Sequence, residues 1–164
     1  ALLLITHGSW KLVKTVTAFT LAHSITLGMA TLGLVQVPSP PVEAVIALSI
    51  VFLAAEIVHA GHGRQSITFR SPWVVAFVFG LVHGFGFAGA LSEIGLPQGQ
   101  IPLALLFFNV GVEFGQLLFI AVVLGLLAVL QRIWIPLPRL ASTAAPYAIG
   151  TVAMFWVIQR IASF

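Results

Sequence analysis

The sequence predicts an all-α, polytopic membrane helix bundle, with five full transmembrane helices preceded by the end of another. Three observations carry this. Of the 164 residues, 60% are hydrophobic and 7% are charged, and the mean hydropathy is +1.13; a soluble domain carries about 25% charged residues. Proline, glycine and charge cut the chain into five apolar runs, most of them near the roughly 20 residues that a spanning helix needs. The ionisable residues His23, His83 and Glu113 fall near the centres of such runs. A charge or imidazole at bilayer depth costs several kcal/mol unless it is partnered, so it marks a functional site by default.

The first run covers 15–35 and ends at the proline-rich turn of Pro38, Pro40 and Pro41. The second covers 42–58 and is followed by a polar segment with Gly61, Gly63, Arg64 and Arg70. The third opens at Pro72, a favourable first helical residue, and ends near Leu91. Residues 93–100 form a polar loop. The fourth, 101–130, is the longest and is expected to tilt or to project beyond the hydrocarbon. Pro136 and Pro138 break the chain, and the fifth run covers 140–162 with Pro146 as an expected kink. The runs are too long for strands and do not alternate. Residues 1–164 read as one transmembrane domain with no room for a separate soluble one. The opening Ala1-Leu2-Leu3-Leu4-Ile5 reads as the last turn of a helix whose beginning is absent, too short for a signal peptide.

Charge predicts orientation. Lys11, Lys14, Arg64, Arg70, Arg132 and Arg139 fall on one side of a five-helix zigzag, and only Arg160 falls on the other. The positive-inside rule makes the Lys/Arg-bearing side cytoplasmic. The net charge of +3 is spread between helices, which argues against a nucleic-acid partner. The absence of cysteine excludes disulfides and thiolate metal sites.

Rise per residue predicts depth. His23 lies about 14 Å and His83 about 16 Å from the inner boundary, and Glu113 about 18 Å from the outer one. All three fall near the midplane of a core about 30 Å thick. Asn109, Glu113 and Gln116 share one face of the fourth helix at i, i+4 and i+7, beside Gly111 and Gly115. Thr20, His23 and Thr26 share a face of the first. Gly80 and Gly84 bracket His83. Glu43 opens the second helix on the outer side, where a carboxylate also suits the helix dipole. Glu56 and His59 close it on the inner side, where an interfacial role is the plainer reading. Asn109 and Gln116 also serve as ordinary interhelical glue elsewhere. Together the groups suggest a polar path from Glu43 through a central cluster of His23, His83, Glu113 and Asn109, with Gln116, Glu56 and His59 as secondary members. His7 and His62 read as loop residues.

Imidazole with carboxylate suits a borderline divalent ion such as nickel, cobalt or zinc, or a proton relay. No phosphate loop, nucleophile elbow or metalloprotease helix occurs, so no enzymatic activity is expected. Two other readings stand beside a metal transporter or channel. One is an accessory subunit among other membrane subunits, suited to short loops and many glycines. The other is a b-type haem protein with His23 and His83 as axial ligands.

Four stretches carry a resemblance: 15–27 (TVTAFTLAHSITL), 42–49 (VEAVIALS), 79–88 (FGLVHGFGFA) and 108–116 (FNVGVEFGQ). In this order they resemble the HupE/UreJ family, in its less characterised second branch. The resemblance implies a six-helix bacterial inner-membrane protein that admits nickel or cobalt for hydrogenase or urease maturation, with functional His and Glu at His23, Glu43 and His83. The chain departs from the family pattern twice. The Asp-His pair that members carry in their first helix has no counterpart in this sequence. Phe87-Ala88-Gly89-Ala90 stands where the nickel-linked branch has a second His and a Glu.

Overall fold

A computed structural model describes residues 8–62, 67–94, 98–132 and 137–163. Those residues form six α-helices and one 3-10 turn, and no strand occurs among them. The helices are α1 (Ser9–Thr31), α2 (Ser39–Gly61), α3 (Ile67–Arg70), α4 (Pro72–Ile94), α5 (Ile101–Arg132) and α6 (Leu137–Ile161). Of these, α2 and the Ile101–Leu130 part of α5 are long and apolar enough to cross a membrane, and α4 contains a shorter apolar stretch, Pro72–Ala88. Five full spans are therefore not all met on length and apolarity. His7, Gly63, Arg64 and Pro136 lie outside the described residues.

Local chemistry sets the helix ends. At the end of α1, Gly33 adopts φ 73°, and its N–H donates to Ala30 O at 3.0 Å while Leu34 N–H donates to Met29 O at 2.9 Å. This pair of bonds is a Schellman cap, which needs a left-handed residue that glycine supplies without strain. Proline occupies the first turn of α2, where its missing N–H leaves no bond unmade. Pro146 lies inside α6 without ending it. Two differences from the sequence expectation stand out. Helix α1 starts two turns early, so Lys11 and Lys14 belong to it, and Lys14 Nζ sits 4.5 Å above the ring of Trp73. The segment expected to be a polar loop contains α3, whose buried Thr68 donates to Glu56 Oε2 at 2.7 Å and ties α3 to α2.

Helices pack in the spatial order α6, α2, α4, α1, α5, with the α1–α4 and α2–α6 interfaces the most extensive. Residues 14, 22 and 27 of α1 meet 73, 80 and 84 of α4, so these two helices run parallel. Ile46 meets Gly86, and Phe52 meets Phe79 in an edge contact at 5.9 Å, so α2 runs antiparallel to α4. Leu53 and Ile57 of α2 form an apolar cluster with Phe69, Val75 and Phe79. Helix α5 stands at one end of this order, and among the described residues nothing buries its most apolar stretch.

Candidate functional site

Helix α4 divides the polar groups between two places, and its glycines show why. Gly80 and Gly84 form one stripe pressed against α1. A Cβ on Gly80 would lie 2.9 Å from Ala22 Cβ and closer still to the Phe19 carbonyl oxygen. A Cβ on Gly84 would overlap Thr26 Oγ1 and the His23 carbonyl oxygen, and lie 2.9 Å from Leu27 N. Backbone-to-backbone approach of this kind is what small residues permit in helix pairs. Phe79, His83 and Gly86, at i, i+4 and i+7, form the neighbouring stripe, which faces α2. His83 therefore turns away from the α1–α5 side.

The first place is the seam between α1 and α5. His23 is 1% exposed and Asn109 9%. His23 Nδ1 lies 3.1 Å from Asn109 Oδ1, and Asn109 Nδ2 donates to Leu105 O at 2.8 Å. With the amide oxygen as acceptor, Nδ1–H donates and Nε2 carries the lone pair. Three aromatic rings enclose the imidazole: Phe19 and Phe108 stack on it at 6.0 and 6.2 Å, and Phe87 meets it edge-on at 5.3 Å. Further along the seam, Thr17 Oγ1 donates to Glu113 Oε1 at 2.7 Å. Gln116 Oε1 is buried and has no hydrogen-bond partner among the described residues. The hydroxyls that share the His23 face are satisfied within their own helix: Thr20 by Val16 O at 3.2 Å and Thr26 by Ala22 O and His23 O at 3.4 Å.

The second place is a cavity of about 440 Å³ between α2, α4 and α6, lined by Glu43, His83, Phe87, Trp156, Gln159 and Arg160 among others. Arg160 Nε bonds Glu43 Oε2 at 2.7 Å, with the side chains 50% and 36% exposed. Deeper in, His83 Nδ1–H donates to Phe79 O at 2.7 Å, so Nε2 again carries the lone pair. A histidine whose other nitrogen is fixed by a carbonyl is oriented as metal-ligating histidines are. Phe19 meets His83 edge-on at 5.2 Å and stacks on His23.

The expected single pocket shared by His23, His83 and Glu113 is thus divided. Rise per residue gave the depth but not the azimuth, and Phe19 packs between the two imidazoles. Among the described residues, no group of three or more His, Asp or Glu side chains is placed to hold a metal ion. The place a haem would need between His23 and His83 is filled by Phe19. Glu56 accepts from Thr68, and His59 lines a separate groove between α2 and α6. His62 bonds Val58 O at 2.8 Å in the C-terminal turn of α2.

Sequence reasoning missed Arg160 as a site residue, although its isolation among the basic residues was the available signal. It also missed the aromatic enclosure of His23.

A helical chain with imidazole, amide and carboxylate side chains set inside apolar helices falls in the class of helical membrane proteins. The sequence profile of the HupE / UreJ protein family matches residues 1–160. The chain belongs to that family. No curated protein and no solved structure matches it.

Proposed function

We propose that this protein is a multi-pass bacterial inner-membrane transporter or channel for a divalent metal cation of the nickel or cobalt kind. The family membership over residues 1–160 carries the reading. The cavity supports it: a carboxylate, Glu43, stands at its mouth and an imidazole with a fixed tautomer, His83, lies within. Carboxylate attracts the ion and imidazole selects a borderline metal over magnesium or calcium. In this reading the five apolar helices all cross the bilayer, their Lys/Arg-bearing ends are cytoplasmic, and the partners are lipid and the transported ion. No enzymatic step is assigned. The seam group of His23, Asn109 and Glu113 is the second polar station, reached only if the rings around His23 move.

The test is uptake of Ni²⁺ or Co²⁺ by proteoliposomes of the purified protein. Removing a ligand costs at least what removing its hydrogen-bond partner does, on the order of tenfold or more. His83→Gln and Glu43→Gln are each expected to lower uptake by that much. Uptake unchanged in both variants overturns the reading.

One observation favours a second reading, an accessory subunit of a larger membrane complex. Among the described residues, nothing stands near enough to α5 to meet a Cβ on Gly111, Gly115 or Gly125, so another helix has room to approach closely there. Native purification as a stable heteromeric assembly, together with no flux from the protein alone, would replace transport by this reading.

A further inference from the structure

We propose that Arg160 is a tethered counter-cation that holds the cargo position on Glu43 and sets the selectivity of the cavity for divalent over monovalent ions. This rests on the transport reading above and goes beyond it by naming what occupies the carboxylate between cargo ions.

The argument starts from charge. A lone carboxylate at a cavity mouth attracts every cation, and sodium or potassium would fill it at ordinary salt. Arg160 Nε sits 2.7 Å from Glu43 Oε2, a charge-assisted bond at short distance. A monovalent ion offers the same single charge without the directional hydrogen bond, so it gains nothing by exchange. A divalent transition ion offers twice the charge, and His83, which lines the same cavity with its Nε2 lone pair available, gives it an imidazole to move on to. It alone gains enough to displace the guanidinium.

Packing holds the competitor in place. Helix α6 packs closely along α2 through one of the two most extensive interfaces, and a Cβ on Gly150 would lie 3.1 Å from Ala54 Cβ, which keeps the Arg160 end of α6 beside the Glu43 end of α2. The exchange is therefore a swing of a half-exposed side chain. Trp156, one helical turn before Arg160, lines the same cavity and offers an aromatic face to the displaced guanidinium. The basic residue that stands on the opposite side from all others has a local reason to be there.

The experiment is equilibrium binding of Ni²⁺ to the full chain in detergent, with and without excess Na⁺. The variants are Arg160→Gln, Arg160→Lys and Arg160→Gln combined with Glu43→Gln. Arg160→Gln is expected to bind Ni²⁺ about threefold tighter, as removal of one competing half-exposed ion pair implies, and to become sensitive to Na⁺. Arg160→Lys stays near the wild type, and the double variant loses the gain. If the wild type binds Ni²⁺ and Arg160→Gln binds it equally or more weakly with unchanged Na⁺ sensitivity, the Arg160 proposal is overturned and the transport reading survives. If neither the wild type nor Arg160→Gln binds Ni²⁺ or Co²⁺, both fall. A measurement on the wild type guards against a variant that does not fold. The Arg160 Nε–H resonance is expected to move on addition of diamagnetic Zn²⁺, and a resonance unmoved at saturating Zn²⁺ overturns the proposal.

Discussion

The α1–α4–α5 seam and the α2–α4–α6 cavity use the same chemistry to opposite ends. Each contains a histidine whose Nδ1–H is committed and whose Nε2 keeps its lone pair. In the seam, His23 is sealed by three rings and its partner is an amide from another helix. In the cavity, His83 bonds its own backbone and borders open volume with a carboxylate at the mouth. The first arrangement couples helices, since losing it orphans a buried group on a neighbour. The second makes no hydrogen bond to another helix, and Nε2 is left for a ligand. Position along the helix does not separate these roles; the identity of the hydrogen-bond partner does.

The largest expected effect breaks both regions at once. Gly84→Ala places a methyl group on Thr26 Oγ1 and on the His23 carbonyl, and the second of these is backbone that cannot yield locally. The α1–α4 pair must separate, which is expected to destabilise the protein by about 3 kcal/mol. Thermal unfolding in detergent measures it. Gly111→Ala, whose Cβ meets nothing among the described residues, is the control and is expected to keep stability or raise it by up to about 1 kcal/mol through helix propensity. Equal melting of the two variants would remove glycine packing as the reason α4 presents two separate stripes.

That same stripe was readable in the sequence and marks where the sequence reading stopped. The five apolar runs, Pro72 and the proline turn before α2 were legible because composition and punctuation depend only on the chain itself. His23 and Asn109 were placed together in the expected central cluster, and the structure pairs them. The separation of His83 was not, because helices that are apolar all round carry no stripe of hydrophobicity to give a facing. Gly80 and Gly84 carried that information instead. Once they are assigned to α1, His83 must share the neighbouring stripe with Phe79 and Gly86. The four-residue α3 was illegible because Thr68 is fixed by a carboxylate on another helix.

Next in size is a crossed pair of effects. His23→Gln is expected to cost about 2 kcal/mol of stability, since a buried partner is left unpaired and the aromatic enclosure is disturbed. His83→Gln replaces a half-buried side chain that hydrogen-bonds only its own helix and is expected to cost about 1 kcal/mol, half as much. Ni²⁺ uptake is expected to run the other way, with His83→Gln the more damaging by on the order of tenfold. Melting temperature and flux on the same two preparations decide it. A reversed order in either measurement dissolves the distinction between the regions.

Asn109→Leu sharpens the seam side. It keeps the volume and removes the acceptor of His23 Nδ1–H. The expected loss is about 1 kcal/mol, in the range of interhelical hydrogen bonds inside membranes. The combination of Asn109→Leu with His23→Leu is expected to recover part of the loss from the single Asn109 change, because no buried polar group is then left without a partner.

The smallest effect asks which region Glu113 belongs to. Thr17 Oγ1 donates to Glu113 Oε1, so Thr17→Val removes one hydrogen bond to a half-buried carboxylate at nearly constant volume. If that bond only couples α1 to α5, the loss is about 0.6 kcal/mol, the average for such ties, and Ni²⁺ uptake is unchanged. If the hydroxyl instead orients a carboxylate that receives the ion, uptake falls by on the order of tenfold while stability changes by the same small amount. A cycle of Thr17→Val, Glu113→Gln and the pair separates the two, because the stability coupling is common to both cases and the flux coupling is not. Flux coupling near zero would place Glu113 with the sealed histidine. A coupling on the order of tenfold would make the seam a second station for the cation and the division drawn by α4 a division between two stops on one path.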